Sequence, residues 1–209
     1  MFLLLIDPTA VQLSYRDLAY RSGVALGSAA VVLDELKAKA FITTSDKRRS
    51  LTRRRELLDL WITGYSGPLR PRLLSGTFEA PDRDSDETMQ RVHSVFSRRD
   101  LDYATTGGFA ADILTRHYRG RDLTIFTSKL SPEMLKELRW LPARTGRIAV
   151  LRMFAPTILW SPVGASTYKV ARPLLVYAEL LHGGSERERE TAQIIYAEHL
   201  APLFDVDTV

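Results

Sequence analysis

A helix–turn–helix pattern followed directly by a β-hairpin pattern fills residues 14–51 and narrows the folds open to this chain. Ser14 can begin the first helix because its hydroxyl can accept a hydrogen bond from a free backbone N–H. Gly23 can end that helix, since glycine adopts the positive φ of a tight turn at little cost. A second helix follows over residues 24–41. Its apolar face, spaced in steps of three and four, comprises Ala29, Val32, Leu33 and Leu36. Two helices joined in this way predict a helix-turn-helix, although any helical hairpin shows the same pattern.

The stretch after the second helix predicts the wing of a winged helix-turn-helix. Residues 41–44 are β-rich, residues 45 and 46 form a polar turn, and residues 48–51 can return as a second strand. The tip of this hairpin would carry three consecutive cations, Lys47, Arg48 and Arg49. We therefore expect a winged helix at the start of the chain, with its wing positively charged.

A second cluster of cations opens the next predicted helix, which runs from about Arg53 to Tyr65. Arg53, Arg54 and Arg55 fall in its first turn, where the helix macrodipole is positive and a cation typically costs a few tenths of a kcal/mol. This placement is explained if the arginines meet an external anion such as the DNA backbone. On that hypothesis, replacing Arg53 and Arg54 by Glu would stabilise the free protein slightly. The alternative is that the arginines extend into solvent, partly paired with Glu56 and Asp59.

The charge distribution also favours a nucleic-acid-facing N-terminal part. Residues 1–75 hold 12 Lys and Arg against 7 Asp and Glu, whereas the remaining residues hold 17 against 18. Such asymmetry is typical of a basic binding module attached to a neutral one, although a solvated basic surface would look the same. The chain has no cysteine, which excludes disulfides and cysteine–zinc sites. The apolar start MFLLLID lacks the features of a signal peptide, and no apolar run approaches the ~18 residues of a membrane span. We expect a soluble, cytoplasmic protein without membrane contact.

Three stretches of the sequence resemble the AbiEi-type antitoxins, which are transcriptional regulators of type IV toxin–antitoxin (abortive-infection) systems. The first is LSYRDLAYRSGVALGSAAVVLDELKAKAFI, which is similar to the N-terminal winged helix of that family. The others are TTGGFAADILTRHYRGRDLTIFT and RPLLVYAELLHGGSERERETAQIIYAEHL, which are similar to its C-terminal domain. With the bridging stretch LLDLWITGYSGPLRPRLL, the likeness covers most of the chain, and the order and spacing of the motifs make it fairly specific.

The resemblance implies a two-domain repressor that binds the double-stranded DNA of its own operator. It also implies an antitoxin that opposes a nucleotidyltransferase-like toxin without any need to touch it. We expect a winged helix over residues 1–75 and an antitoxin domain over residues 76–209, separated near a stretch punctuated by glycine and proline. The candidate DNA-binding residues are Ser14, Tyr15, Ala25, Leu26, Ser28, Lys47, Arg48, Arg49, Arg53 and Arg54.

This sequence departs from the family pattern at the helix expected to enter the major groove. That helix would offer Ala25, Leu26, Gly27, Ser28 and Val31 to the bases. Among them only Ser28 has a polar side chain, and the usual base-contacting residues Arg, Asn and Gln are absent. Ala25 and Leu26 could still touch a thymine methyl group, while basic contacts would supply most of the affinity. The stretch before Asp7 is also short, so the first helix of the winged domain must be very short or the start is truncated.

The remaining two-thirds predicts a mixed α/β domain, and the fold class as a whole is α+β. Gly107 and Gly108 at a helix start, followed by the strand carrying Asp122 and Thr124, resemble the metal-binding signature of nucleotidyltransferases. Two carboxylates on one strand face are needed to hold two Mg²⁺ ions, and this strand offers at most one. We therefore expect a nucleotidyltransferase-like scaffold without a complete active site, hence no enzyme, no metal and no cofactor. The glycine pair could equally serve close packing of the helix on the strand.

Two other functions remain open from the sequence. The chain could be an active nucleotidyltransferase that uses Asp122 and a second acid at an unidentified position. It could also be a winged helix used only for protein contacts, which the apolar face of its second helix would permit. Its four histidines show no metal-binding spacing.

Overall fold

The computed structural model describes residues 1–82, 84–118, 120, 122–156, 159–161 and 166–205, and they form a mixed α+β fold. The helices are α1 (Phe2–Ile6), α2 (Tyr15–Ser22), α3 (Leu26–Ala38), α4 (Arg54–Gly64), α5 (Arg70–Leu73), α6 (Ser85–Ser97), α7 (Gly107–Thr115), α8 (Pro132–Leu138), α9 (Pro173–Gly183), α10 (Glu186–Ile195) and α11 (Ala201–Phe204). The strands are β1 (Ile42–Ser45), β2 (Arg48–Leu51), β3 (Leu74–Glu79), β4 (Tyr103–Thr106), β5 (Leu123–Thr127), β6 (Leu141–Pro142), β7 (Ile148–Arg152), β8 (Trp160–Ser161) and β9 (Val170–Ala171). A 3₁₀ helix spans Pro8–Gln12, and π-helical turns span Tyr65–Leu69 and Tyr196–Leu200. None of the described helices is both long and apolar enough to cross a bilayer.

Residues 14–51 fold as two helices followed by an antiparallel hairpin, as predicted. The Ser14 hydroxyl accepts a hydrogen bond from the Asp17 N–H at 3.1 Å and so begins α2. Gly23 ends α2 with a φ of +65°, the left-handed conformation that glycine adopts readily. Strands β1 and β2 pair with Ile42 opposite Leu51 at one end and Ser45 opposite Arg48 at the other. The turn is therefore Asp46 and Lys47, both with positive φ, and not residues 45 and 46 as predicted.

The C-terminal strands form one mixed sheet of seven strands in the order β6-β3-β7-β5-β4-β9-β8. Strands β5 and β7 run parallel, as do β4 and β9, and the remaining neighbours are antiparallel. Strand β3 lies in the stretch that the sequence predicts to be an interdomain boundary. The boundary between residues 75 and 76 falls inside this strand, and the division into two domains stays a prediction.

Each face of the sheet carries its own hydrophobic core. On one face Ile125 and Val150 pack with the buried sides of α6 and α8, including Met89 and Leu138. On the other face Phe126 and its neighbours pack with α7, α9 and α10. The sheet is therefore the middle layer of three, with helices packed on both of its faces.

The N-terminal helices share the second of these cores. The ring of Phe2 stacks on Trp61 with centroids 5.6 Å apart and meets Phe154 edge-on at 5.5 Å. Phe154 in turn meets Phe126 of β5 at 5.9 Å, and Trp61 stacks on Tyr65. A continuous row of aromatic rings therefore joins α1 and α4 to the sheet.

A buried polar triad lies at the same junction. The Tyr65 hydroxyl donates a hydrogen bond to Glu179 of α9. The Arg70 guanidinium binds both oxygens of that carboxylate, with contacts of 2.8 to 3.0 Å. Burial and the negative charge of Glu179 raise the pKa of the Tyr65 hydroxyl far above its ordinary value, so it stays protonated and donates.

Candidate nucleic-acid interface

The tip of the β1–β2 hairpin carries two exposed cations. Lys47 occupies the second position of the turn with a φ of +63°, and Arg48 begins strand β2. Both residues are exposed. Within the described part of the chain, no carboxylate lies within 4.0 Å of either charge. Both cations are therefore available to an external anion.

Arg49, predicted as a third phosphate contact, is instead engaged within the protein. It is half-buried, and its guanidinium donates to the Leu13 carbonyl at 2.5 Å. The guanidinium also lies over the Tyr15 ring, 5.7 Å from its centroid. The Gln12 side chain donates to the Arg49 carbonyl and accepts from its N–H at 3.3 Å. These contacts fix the hairpin to the start of α2. They span about 36 residues, so no local sequence signal identifies Gln12 or Leu13 as partners.

Ser14 and Tyr15, also predicted to contact DNA, connect structural elements. The Ser14 hydroxyl donates to the Asp17 carboxylate at 2.6 Å besides capping α2. The Tyr15 hydroxyl donates to Asp34 of α3 at 3.3 Å and accepts from Lys37. The hydrogen bond to Tyr15 raises the pKa of the Lys37 ammonium. Tyr15 thus contacts α3 and the hairpin together and sets their relative position.

The outward face at the start of α3 is apolar, as its sequence predicts. Ala25 occupies the N-cap position, and Leu26 begins the helix with 49% of its surface exposed. Ser28 is exposed one turn from Val31, which is 60% exposed. The opposite face of α3 is buried through Ala29, Leu33 and Leu36. Ala25, Leu26, Ser28 and Val31 therefore lie at the surface of the unit that also carries Lys47 and Arg48.

The arginine cluster of α4 differs from its sequence prediction. Arg53 is the N-cap residue with a φ of +50°, not a first-turn residue, and its guanidinium binds Glu56 and the Lys39 carbonyl. Arg54 is half-buried and donates to the Leu203 carbonyl at 3.2 Å. These residues contact other parts of the same chain, which explains cations at a helix start without an external anion.

The third arginine of the cluster, Arg55, also faces the C-terminal end of the chain. Its guanidinium lies over the Tyr196 ring, 4.2 Å from the centroid, and 3.9 Å from the Asp205 carboxylate. It also lies 3.9 Å from Asp59, the partner that the sequence alternative names. Arg54 and Arg55 together therefore hold α4 against the segment 196–205.

The nucleotidyltransferase-like signature lies at a separate cleft, in which Gly107 and Gly108 meet Asp122 and Thr124. Gly107 has a φ of +65°, and its Cα faces the Thr124 side chain. A Cβ on Gly108 would lie 2.8 Å from the Gly120 Cα. Gly108 therefore allows α7 to approach residue 120 closely, whereas a Cβ on Gly107 would make only an ordinary contact with Thr124 at 3.5 Å, and Gly107 is favoured by its positive φ. The packing alternative from the sequence is supported at residue 120 and not at strand β5.

Two further acids line this cleft, and both are engaged. Glu179 belongs to the buried triad with Tyr65 and Arg70. Glu188 accepts from the N–H of Ser185 at 2.9 Å and from its hydroxyl at 2.6 Å, which forms a capping box at the start of α10. Among the described residues, no group of three or more histidine, aspartate or glutamate side chains is arranged to hold a metal ion.

Comparison with known families agrees with the resemblance seen in the sequence. Residues 50–201 match a family of transcriptional regulators, described as the AbiEi antitoxins of type IV toxin–antitoxin systems. The match covers well over half of the 209 residues, and the chain belongs to this AbiEi_2 family. The matched residues begin within β2, so α2, α3 and β1 lie outside them. Neither the curated proteins nor the solved structures give a match to this chain.

Proposed function

We propose that this chain is a DNA-binding repressor of its own operon and acts as the antitoxin of a type IV toxin–antitoxin system. The observation that carries the proposal is the pair of exposed cations, Lys47 and Arg48, on a hairpin beside an exposed helix. Family membership supports the regulatory role. The proposed toxin partner is opposed functionally, and no contact with it is required.

In this proposal residues 1–51 act as a winged helix, with α3 as the recognition helix and the β1–β2 hairpin as the wing. A recognition helix enters the major groove with its N-terminal residues toward the base edges. The contacts of Tyr15 and Arg49 support this use, because they hold α2, α3 and the hairpin in one arrangement. A preformed surface of this kind loses little conformational entropy when DNA binds.

If the protein binds DNA as proposed, its affinity should fall as the salt concentration rises. Lys47 and Arg48 of the wing should account for part of that dependence. Each phosphate neutralised by a cation contributes a slope of about −0.9 to log K against log[salt]. Replacing Lys47 and Arg48 by alanine should therefore reduce the magnitude of the slope by about 2 units. The melting temperature should hardly change, since both side chains are exposed. Titrations of a labelled duplex from the region upstream of the gene, at several salt concentrations, would measure the slope.

The matched control for this experiment is the double variant Lys129→Ala/Arg144→Ala. It removes one exposed lysine and one exposed arginine from the C-terminal part and should leave the slope unchanged. A reporter gene driven by the same upstream region should lose repression with the Lys47/Arg48 variant only. If the unmodified protein binds DNA with no salt dependence, or does not bind it, the repressor proposal fails and the protein-contact module becomes the better hypothesis.

For the C-terminal part we propose a nucleotidyltransferase-like scaffold without catalytic activity. The engagement of Glu179 and Glu188 supports this, because Asp122 then faces the cleft without a second unengaged carboxylate among the described residues that line it. Two-metal phosphoryl chemistry needs at least two carboxylates directed at the ions.

This proposal predicts that Asp122→Ala has no activity to remove. The unmodified protein should transfer no label from any of the four NTPs in the presence of Mg²⁺. The substitution itself should change stability little, because Asp122 is exposed. The control is Glu190→Ala, which removes an exposed acid of α10 outside the cleft. Label transfer by the unmodified protein that disappears in Asp122→Ala and persists in Glu190→Ala would establish the enzyme instead.

A further inference from the structure

Large apolar side chains are concentrated on the surface of the α2–α3 unit. The described residues include seven such side chains that are exposed, and four of them fall within residues 20–31. These four are Tyr20, Val24, Leu26 and Val31. Exposed apolar patches on soluble proteins commonly mark binding surfaces.

The charge on the neighbouring hairpin points to one kind of occupant for these apolar residues. Lys47 and Arg48 lie on the hairpin that follows α3, and Tyr15 and Arg49 fix that hairpin to α2. A partner that contacts both the start of α3 and this hairpin would therefore offer apolar groups to α3 and negative charge to Lys47 and Arg48. A DNA major groove meets both conditions, since the thymine C5-methyl is its apolar feature and phosphates line both edges.

The exposed side chains at the start of α3 offer few polar groups that could recognise bases by hydrogen bonds. Its first two turns expose Leu26, Gly27, Ser28 and Val31, and none of these can make the two hydrogen bonds by which Arg, Asn or Gln distinguish bases. Leu26 and Val31 are five residues apart, which is about 7.5 Å along the helix axis. They can therefore contact different methyl groups.

We propose that Leu26 and Val31 determine sequence preference by contact with thymine C5-methyl groups, while the hairpin cations supply affinity. This inference rests on the DNA-binding function proposed above. It identifies thymine-containing steps as the preferred target and adds Val31, which the sequence places on the face offered to the bases, to the candidate DNA-binding residues.

Deoxyuridine tests the proposal directly, because it differs from thymidine only by the missing methyl group. The probe is the DNA fragment upstream of the gene, amplified once with dTTP and once with dUTP. Loss of the contacted methyl groups should weaken binding of the unmodified protein by about tenfold. The salt slope should stay the same, since the phosphates are unchanged.

The protein side of the test uses the double variant Leu26→Ala/Val31→Ala. It should bind the dTTP and dUTP fragments equally well and keep the salt slope of the unmodified protein. The matched control Leu141→Ala removes a leucine that is 72% exposed on strand β6 and should retain the tenfold preference.

The outcomes separate this inference from the function on which it rests. Equal binding of both fragments by the unmodified protein, with a normal salt slope, overturns methyl recognition and leaves the repressor proposal intact. Failure to bind either fragment overturns both. The rival occupant is a second copy of this chain. If Leu26→Ala/Val31→Ala turns a dimer into a monomer in sedimentation equilibrium and leaves the thymine preference unchanged, the patch is a self-association surface and the inference is wrong.

Discussion

Replacing Glu179 by leucine should lower the free energy of unfolding by about 3–5 kcal/mol, the cost of breaking a buried ion pair from one side. Glu179 is 5% exposed, and its carboxylate is the shared partner of the Tyr65 hydroxyl and the Arg70 guanidinium. Leucine leaves that guanidinium without its counter-charge and the tyrosine hydroxyl without its acceptor. Urea unfolding followed by circular dichroism would measure the loss.

The Arg70→Met/Glu179→Leu double variant is the informative control. Because it removes both charges, it should recover much of the stability lost in Glu179→Leu. Tyr65→Phe removes one hydrogen bond to a charged group and should cost less than Glu179→Leu. A Glu179→Leu variant within about 1 kcal/mol of the unmodified protein would contradict the expected burial of the pair. A double variant less stable than Glu179→Leu would show that the two side chains contribute independently.

The triad also bears on how the predicted DNA-binding part and the rest of the chain are joined. Tyr65 and Arg70 belong to the segment that follows α4, whereas Glu179 lies on α9. Together with the aromatic row from Tyr65 to Phe126, it connects the N-terminal helices to the sheet through both polar and apolar contacts. Buried side chains of α3 and of the C-terminal helices α9 and α10 therefore belong to one packed core.

Local signals in the sequence predicted the elements whose ends are fixed by their own residues. Ser14 accepts a hydrogen bond from the backbone N–H of Asp17, three residues further on, in the helix that it begins. Gly23 ends that helix with positive φ. In these cases the physical cause lies within four residues, so the pattern of residue types is sufficient.

Elements that depend on distant partners were missed. Strand β3 contains Gly76, follows two prolines, and buries only Phe78, so it resembles a linker. It is a strand because β7 pairs with it from about 70 residues away. The same limit applies to Arg49. Its positive charge alone predicts a phosphate contact, and only the fold places the Leu13 carbonyl beside its guanidinium. The exposed apolar start of α3, in contrast, was predicted from the sequence. The residues that lie opposite the buried face of a helix follow from the spacing within that helix alone.

Arg54→Glu should destabilise the free protein, although the helix-dipole argument from the sequence predicts the opposite sign. An acid in the first turn of α4 would stabilise the helix by about 0.3–1 kcal/mol. Loss of a hydrogen bond from a charged group costs about 1.5–3 kcal/mol when the group is buried. Arg54 is half-buried, and it donates to the Leu203 carbonyl of α11. Because the lost hydrogen bond outweighs the gain at the helix start, we expect a net loss of roughly 1–2 kcal/mol.

The matched comparison is Arg48→Glu, which makes the same substitution on the exposed hairpin. It should change the free energy of unfolding by less than about 0.5 kcal/mol, because Arg48 is exposed and approaches no carboxylate among the described residues. DNA affinity should show the reverse order, with Arg48→Glu weakening binding more than Arg54→Glu in preparations that are fully folded. Thermal melts and duplex titrations on the same samples give both quantities. If Arg54→Glu is instead as stable as the unmodified protein and fails to bind DNA, Arg54 belongs to the DNA interface, and its contact with Leu203 does not persist in solution.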